Sequence, residues 1–225
     1  MNIIAILFLI LLFLVASFIF FVIIILPLAF TMFSIITFFT VPLQLWKLFK
    51  NRRVRQNHAL EHATINLLEE TIPDQKIAGL SLEDGFFVFA PVNPVVIEKA
   101  ARKGLQLLKG GQSNLAIHAE CGTSSGVVAF IASLFFLGLF ISYGRISFLL
   151  LPIILGAAWA AGRYLGPITQ RFLTTSTRLE NVEILGIEMR IPPSLPVALF
   201  LGPQTFVKTG QPLEVEKVLV GELIS

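Results

Sequence analysis

Two of the three histidines in this chain stand four residues apart, in His58-Ala59-Leu60-Glu61-His62. On a helix, positions i and i+4 share a face, so both imidazoles can reach one metal ion. Glu61 follows His58 by three residues, lies near the same face and can take a proton from water. The pattern H-x-x-E-H is the inverted form of the H-E-x-x-H zinc helix. Its parts serve the same chemistry: two neutral imidazoles hold the metal, the metal lowers the pKa of water, and the carboxylate accepts the proton. The plainer reading of the same residues is a hydrogen-bonded His–Glu pair, or a headgroup contact beside the basic run that precedes it.

The third histidine lies in Ile117-His118-Ala119-Glu120-Cys121-Gly122, with the sole cysteine. All histidine therefore falls in two clusters. Two ligands from one helix and a third from a distant segment is a common layout for a catalytic zinc. With Asn114–Ala119 read as a short strand, His118 and Glu120 face one way and Cys121 the other, so His118, Glu120 or Cys121 can supply the third ligand. Alternatively, Cys121 is a small buried residue at the foot of an apolar helix. Glu69 and Glu70 read as solvated helix positions and Asp84 as a turn residue, without chemistry.

The elements that must position these groups are mostly apolar. The chain has 225 residues, 55% hydrophobic and 14% charged, with mean hydropathy +0.82. Soluble domains carry about 25% charged residues. No Asp, Glu, Lys, Arg or His occurs from Met1 to Trp46, from Cys121 to Gly144 or from Ile146 to Gly162. An apolar stretch of about 18 residues or more reads as a membrane span. The expected fold is an α-helical integral membrane protein of about four spans with a small α/β cytoplasmic module. Residues 1–46 form an N-terminal transmembrane hairpin divided at Pro27, and residues 47–122 the module. Residues 123–165 form a second hairpin turning at Tyr143-Gly144-Arg145, and residues 166–225 a C-terminal cytoplasmic segment packed on the module.

Lys47, Lys50, Arg52, Arg53 and Arg55 follow the first apolar block and put that end in the cytoplasm by the positive-inside rule. A net charge of +3 is too small to argue for nucleic acid. One cysteine excludes an internal disulfide framework. Within the module, Asn57–Glu70 reads as a helix. Ile77–Leu82 and Phe86–Val92 read as a hairpin across Glu83-Asp84-Gly85. Pro94 opens a helix to about Lys109 whose apolar face is Val95, Ala101, Leu105 and Leu108. Asn181–Arg190 and Leu213–Leu219 read as further strands, and Leu195–Leu201 is too short to span. Gly122 with Gly126, Gly156 with Ala160 and Ala158 with Gly162 are spaced for close helix packing.

The sequences Asn57-His58-Ala59-Leu60-Glu61-His62-Ala63-Thr64, Leu115-Ala116-Ile117-His118 and Cys121-Gly122-Thr123 resemble a family of bacterial membrane proteins classed as a domain of unknown function. That family is found mainly in oxygenic photosynthetic bacteria, and the likeness covers roughly residues 50–165. Its second motif, H-x-x-C-G-T, implies His118 and Cys121 more than Glu120 as ligands, and its distribution implies a bacterial inner or thylakoid-type membrane. The first motif is also similar to the metal helix of inverzincin peptidases such as the insulinase-like family, although their third ligand, a Glu from a later helix, has no clear match here. Two functions follow as expectations. One is a membrane-bound, zinc-dependent hydrolase, a peptidase working on a membrane protein at the cytoplasmic face, with Glu61 as general base. The other is a non-catalytic metal-binding protein that assists assembly or stability of a membrane complex. A closed four-ligand site would favour the second.

Overall fold

A computed structural model describes residues 2–73, 75–143, 150–193 and 202–210. The chain divides into two compact units, one of residues 1–42 and 126–162, the other of residues 43–125 and 163–225.

In the first unit the expected break at Pro27 is absent. Helix α1 (Ile3–Phe20) passes through a π-helical turn, Phe21–Ile25, into helix α2 (Leu26–Lys50), giving one continuous helix Ile3–Lys50 of 48 residues in place of the N-terminal hairpin. A proline inside a helix lacks its N–H and crowds the carbonyl four residues back. The wider turn just before Pro27 relieves that crowding. The Pro27 carbonyl accepts from Thr31 Oγ1 at 2.8 Å. At about 1.5 Å per residue, 48 residues reach ~72 Å, more than twice a hydrocarbon core of about 30 Å.

Helix α5 (Gly122–Tyr143) meets α2 through aromatic rings. Phe30 and Phe136 lie edge to face at 4.6 Å, and Phe38 stacks on Phe130 at 5.8 Å. Helix α6 (Leu151–Thr169) packs Ile154 and Ala158 on Ala132. A Cβ on Gly162 would collide with Val128, so that small residue is needed, whereas Gly122 and Gly156 face open space. Two helices among the described residues are long and apolar enough to cross a membrane, Ile3–Lys50 and Gly122–Ser142. The expected fourth span begins outside the described residues, as does the turn at Arg145.

The second unit is a four-stranded antiparallel sheet carrying two helices. Helix α3 (Arg52–Thr71) starts where Asn51 interrupts the chain, its side chain accepting from the Val54 N–H at 3.2 Å. Every residue from Gln56 to Ile65 is buried, which an ordinary amphipathic helix would not allow. Its polar side chains hydrogen-bond within that interior. Asn57 donates to the Leu82 carbonyl at 2.7 Å and accepts from Thr209 Oγ1 at 2.8 Å. Gln56 donates to the Arg178 carbonyl, and Thr64 donates to the Leu60 carbonyl. Helix α4 (Pro94–Lys109) has Asn93 as its cap and Pro94 at its first turn, as expected. Its buried face is Ile97, Ala101, Gly104 and Leu108, while Val95 is 53% exposed and lies off that face. Gly104 brings α4 against Ala63 of α3, where an added Cβ would stand 3.2 Å from the alanine's.

The strands are β1 (Ala78–Leu82), β2 (Gly85–Phe89), β3 (Glu183–Arg190) and β4 (Gln204–Gly210). Their order is β1-β2-β4-β3. β1 and β2 form the expected hairpin, with Leu82 opposite Gly85. β4 sits between β2 and β3 and was not anticipated. Phe86, Val88 and Val207 point into the core under Leu60, Ile65, Leu68 and Ile97. The expected strand at Asn114–Ala119 is a 3-10 turn, Ser113–Ala116, followed by extended chain. The segments 195–201 and 213–219 lie outside the described residues.

Candidate metal centre

His58 and His62 sit one turn apart in the buried middle of α3, with ring centroids 4.3 Å apart. Each ring is held by its Nδ1. His58 Nδ1 donates to the Thr174 carbonyl at 3.0 Å, and His62 Nδ1 to the Ala116 carbonyl at 2.8 Å. Backbone carbonyls accept only, so both rings carry their proton on Nδ1 and present a bare Nε2. The two Nε2 atoms converge on Cys121. Its Sγ is 3.4 Å from His58 Nε2, and the ligand atoms of all three residues lie within 4.8 Å of one another. For a tetrahedral first-row ion with bonds of about 2.0 Å to nitrogen and 2.3 Å to sulfur, neighbouring donors stand about 3.5 Å apart. His62 Nε2 is buried without a hydrogen-bond partner. A buried acceptor left bare is costly, and a metal ion at this point would satisfy it.

Protonation favours the same use. Burial pushes the His62 imidazole below its ordinary pKa, towards the neutral form that ligates. Burial alone would raise the Cys121 thiol. The His62 imidazole and the Thr123 hydroxyl and N–H outweigh it, and the thiol lies below its usual value. A neutral imidazole and a deprotonated thiol are the forms in which these side chains ligate a metal.

Glu61 belongs to the neighbouring wall. It is buried, and desolvation raises its carboxyl above the ordinary range despite His58 nearby. Its Oε2 accepts from Ser81 Oγ on β1. Gly79, two residues earlier on the same face of β1, leaves the room Glu61 needs. Any Cβ there would strike the carboxyl group. Glu61, the three candidate ligands, Ser81 and His118 line one cleft of about 480 Å³.

These residues are also where the chain is similar to known proteins. The family described as "Domain of unknown function (DUF6391)" matches residues 53–187. The chain belongs to the DUF6391 family. A relative in Picosynechococcus sp. (strain ATCC 27264 / PCC 7002 / PR-6), itself described as an uncharacterized protein, is 32% identical over 89 residues, which are 36% of this chain and 43% of that protein. The aligned part thus spans less than half of that relative's length. No solved structure matches.

In this DUF6391 protein the sequence reading brought six residues to the site, and the structure separates them. His58, His62 and Cys121 come together. His118 is turned aside: its Nε2 is 3.1 Å from Glu69 Oε2, so the glutamate taken as merely solvated has a partner. Glu120 is exposed, pairs with Lys76 at 2.8 Å and lies outside the group of three converging ligand atoms. The strand alternation that grouped Glu120 with His118 does not exist, because the chain leaves its 3-10 turn and makes a tight bend into α5.

Sequence reasoning missed Gln170. It is fully buried in the π turn Gln170–Thr174 that ends α6. Its Oε1 accepts from the His118 N–H at 2.8 Å, while its Nε2 donates to the His118 carbonyl at 2.9 Å and to Ser124 Oγ at 2.6 Å. One side chain thereby fixes both ends of the segment that delivers Cys121. The same turn supplies the Thr174 carbonyl to His58. Nothing local in the sequence marks this glutamine, since its partners lie 46 to 52 residues away. Gln170→Leu is expected to lower metal affinity by about 10–100-fold, the usual effect of losing an outer hydrogen bond at a metal site. Titration with a competing chelator measures it, and an unchanged affinity would show that the Cys121 segment holds its position without Gln170.

Proposed function

We propose that this DUF6391 protein is a membrane-bound, zinc-dependent hydrolase that cleaves a peptide bond of a membrane-protein substrate at the cytoplasmic face. His58, His62 and Cys121 hold the zinc and Glu61 is the general base. The observation that carries the reading is the number of donors. Among the described residues three ligand atoms converge, and His118, the natural fourth, is occupied by Glu69. Structural zinc is closed by four protein ligands, whereas catalytic zinc keeps one position open. Here the open side faces a cleft that also holds a buried carboxylate.

Zinc in that position supplies a Lewis acid that polarises a carbonyl and acidifies water. The protein's own groups do the rest. The Thr174 and Ala116 carbonyls keep both imidazoles in the ligating tautomer. Glu61, with its pKa raised by burial, accepts a proton at a carboxylate oxygen and can return it to a leaving amine. Ser81 holds the other oxygen in place. The membrane assignment draws support from the two long apolar helices and from the five cations, Lys47 to Arg55, at and just beyond the end of the first of them.

The ligand assignment is tested on purified protein by metal analysis of single variants. Wild type, His118→Ala and Glu120→Ala are expected to carry about one zinc per chain, and Cys121→Ala to lose most of it. Zinc retained in Cys121→Ala but lost in His118→Ala would overturn the assignment.

A further inference from the structure

The second unit has another cleft, larger than the first, of about 740 Å³. Among the described residues its walls carry five cations, Lys50, Arg52, Arg55, Arg171 and Arg178, and no carboxylate. None of the five is in an ion pair among the described residues. Four acidic side chains of the unit are paired elsewhere, Glu120 on Lys76, Asp84 and Glu188 on Arg190, and Glu98 on Arg102. Five like charges gathered round one concavity repel one another unless an anion lies among them. Arg55 is the most fixed. It donates to the carbonyls of Thr175 and Phe49 at 3.1 and 3.4 Å and lies over the Phe49 ring at 5.3 Å. Lys50 lies over the Trp46 ring at 4.8 Å and Arg171 over the Phe172 ring at 6.0 Å.

We propose that this cleft binds a phosphate group, that of an anionic phospholipid. The phosphate is argued from the donors. Guanidinium groups match phosphate oxygens in paired hydrogen bonds, and four of the five cations are arginines. The lipid is argued from what accompanies them. Lys50 and Arg52 follow directly on the charge-free run that ends at Trp46, and Arg171 follows apolar α6. Two exposed aromatics share the cleft, Phe49 at 39% and Phe172 at 64% exposure. Cations and aromatic rings just beyond an apolar helix are the composition of the headgroup layer. The lipid source rests on the membrane reading above; the phosphate site does not.

The test uses the full chain in detergent. Native mass spectrometry compares retention of phosphatidylglycerol with phosphatidylcholine, and thermal unfolding is followed with inorganic phosphate added. Wild type is expected to hold one phosphatidylglycerol with at least tenfold preference over phosphatidylcholine. Arg52→Gln/Arg171→Gln/Arg178→Gln, three exposed positions, should bind it roughly a hundredfold more weakly. Lys99→Gln/Lys103→Gln/Lys208→Gln removes the same charge from exposed sites outside the cleft and should bind as wild type does. Equal loss in both triple variants would overturn the site in favour of general charge attraction. Inorganic phosphate that binds as tightly as the lipid would overturn the lipid source and keep the phosphate site. Release of the chain from membranes by alkaline carbonate would sink the membrane reading separately.

Discussion

Replacing Glu61 with Gln is expected to leave zinc bound and to cut turnover by about 10²–10⁴, the usual share of general acid–base catalysis. The substitution keeps size and removes the base. Its amide nitrogen can no longer accept a proton, while the remaining oxygen can still take the Ser81 hydrogen bond. Glu61 lies outside the group of three ligand atoms, so metal content should not follow activity. Cells carrying Glu61→Gln are then expected to accumulate an uncleaved membrane protein, seen by comparing membrane fractions with wild type. A purely structural metal gives a different pattern. Glu61→Gln would behave as wild type, while removal of the ligands would cost an intact membrane complex. That pair of results would replace the hydrolase with an assembly factor.

The second large effect is on the metal itself. His58→Ala/His62→Ala is expected to take zinc from about one per chain to none, because the cysteine left behind cannot hold it alone. The loss reaches stability as well. A ligand present at a thousandfold its dissociation constant stabilises the folded state by about 4 kcal/mol. A chelator should therefore lower the unfolding temperature of wild type and leave that of the double variant unchanged. The variant itself must fold for the comparison, so His62→Gln, which keeps a polar group near the Ala116 carbonyl, serves as a second probe. Zinc content unchanged in both would refute the site.

How much of this was legible depended on the range of the interaction. The H-x-x-E-H helix, the hairpin at Asp84-Gly85 and the capped helix from Pro94 are written in neighbouring residues, and the structure has all three. The meeting of Cys121 with the two histidines was implied only by the family motif, because in the residues themselves it turns on whether 114–119 are a strand, and that depends on Gln170 and Asn66 gripping the segment from elsewhere. Asn66 donates to the carbonyls of both Leu115 and Ile117, which a strand would have spent on a neighbouring strand. Pro27 misled in the other direction. A proline in an apolar run reads as a division, yet a π turn absorbs it. Strand β4 escaped because Gly202, Pro203 and three polar residues in Gln204-Thr205-Phe206-Val207-Lys208 look like a loop, and only its neighbours on both sides make it a strand.

The position of β4 has a consequence for the order in which the protein is built. β3 pairs with β4 and β2 pairs with β4, so the sheet cannot close until residues 204–210 have been synthesised. By then the apolar helices α5 and α6 have already left the ribosome. The helix bearing both histidines must wait some 130 residues, with its Thr209 partner for Asn57 the last to arrive. At synthesis rates of about 5–20 residues per second, that is a delay of roughly ten seconds. During it the edge of β2 is bare and open to mispairing. A nascent chain stalled before residue 204 would therefore carry a half-built sheet together with finished apolar helices.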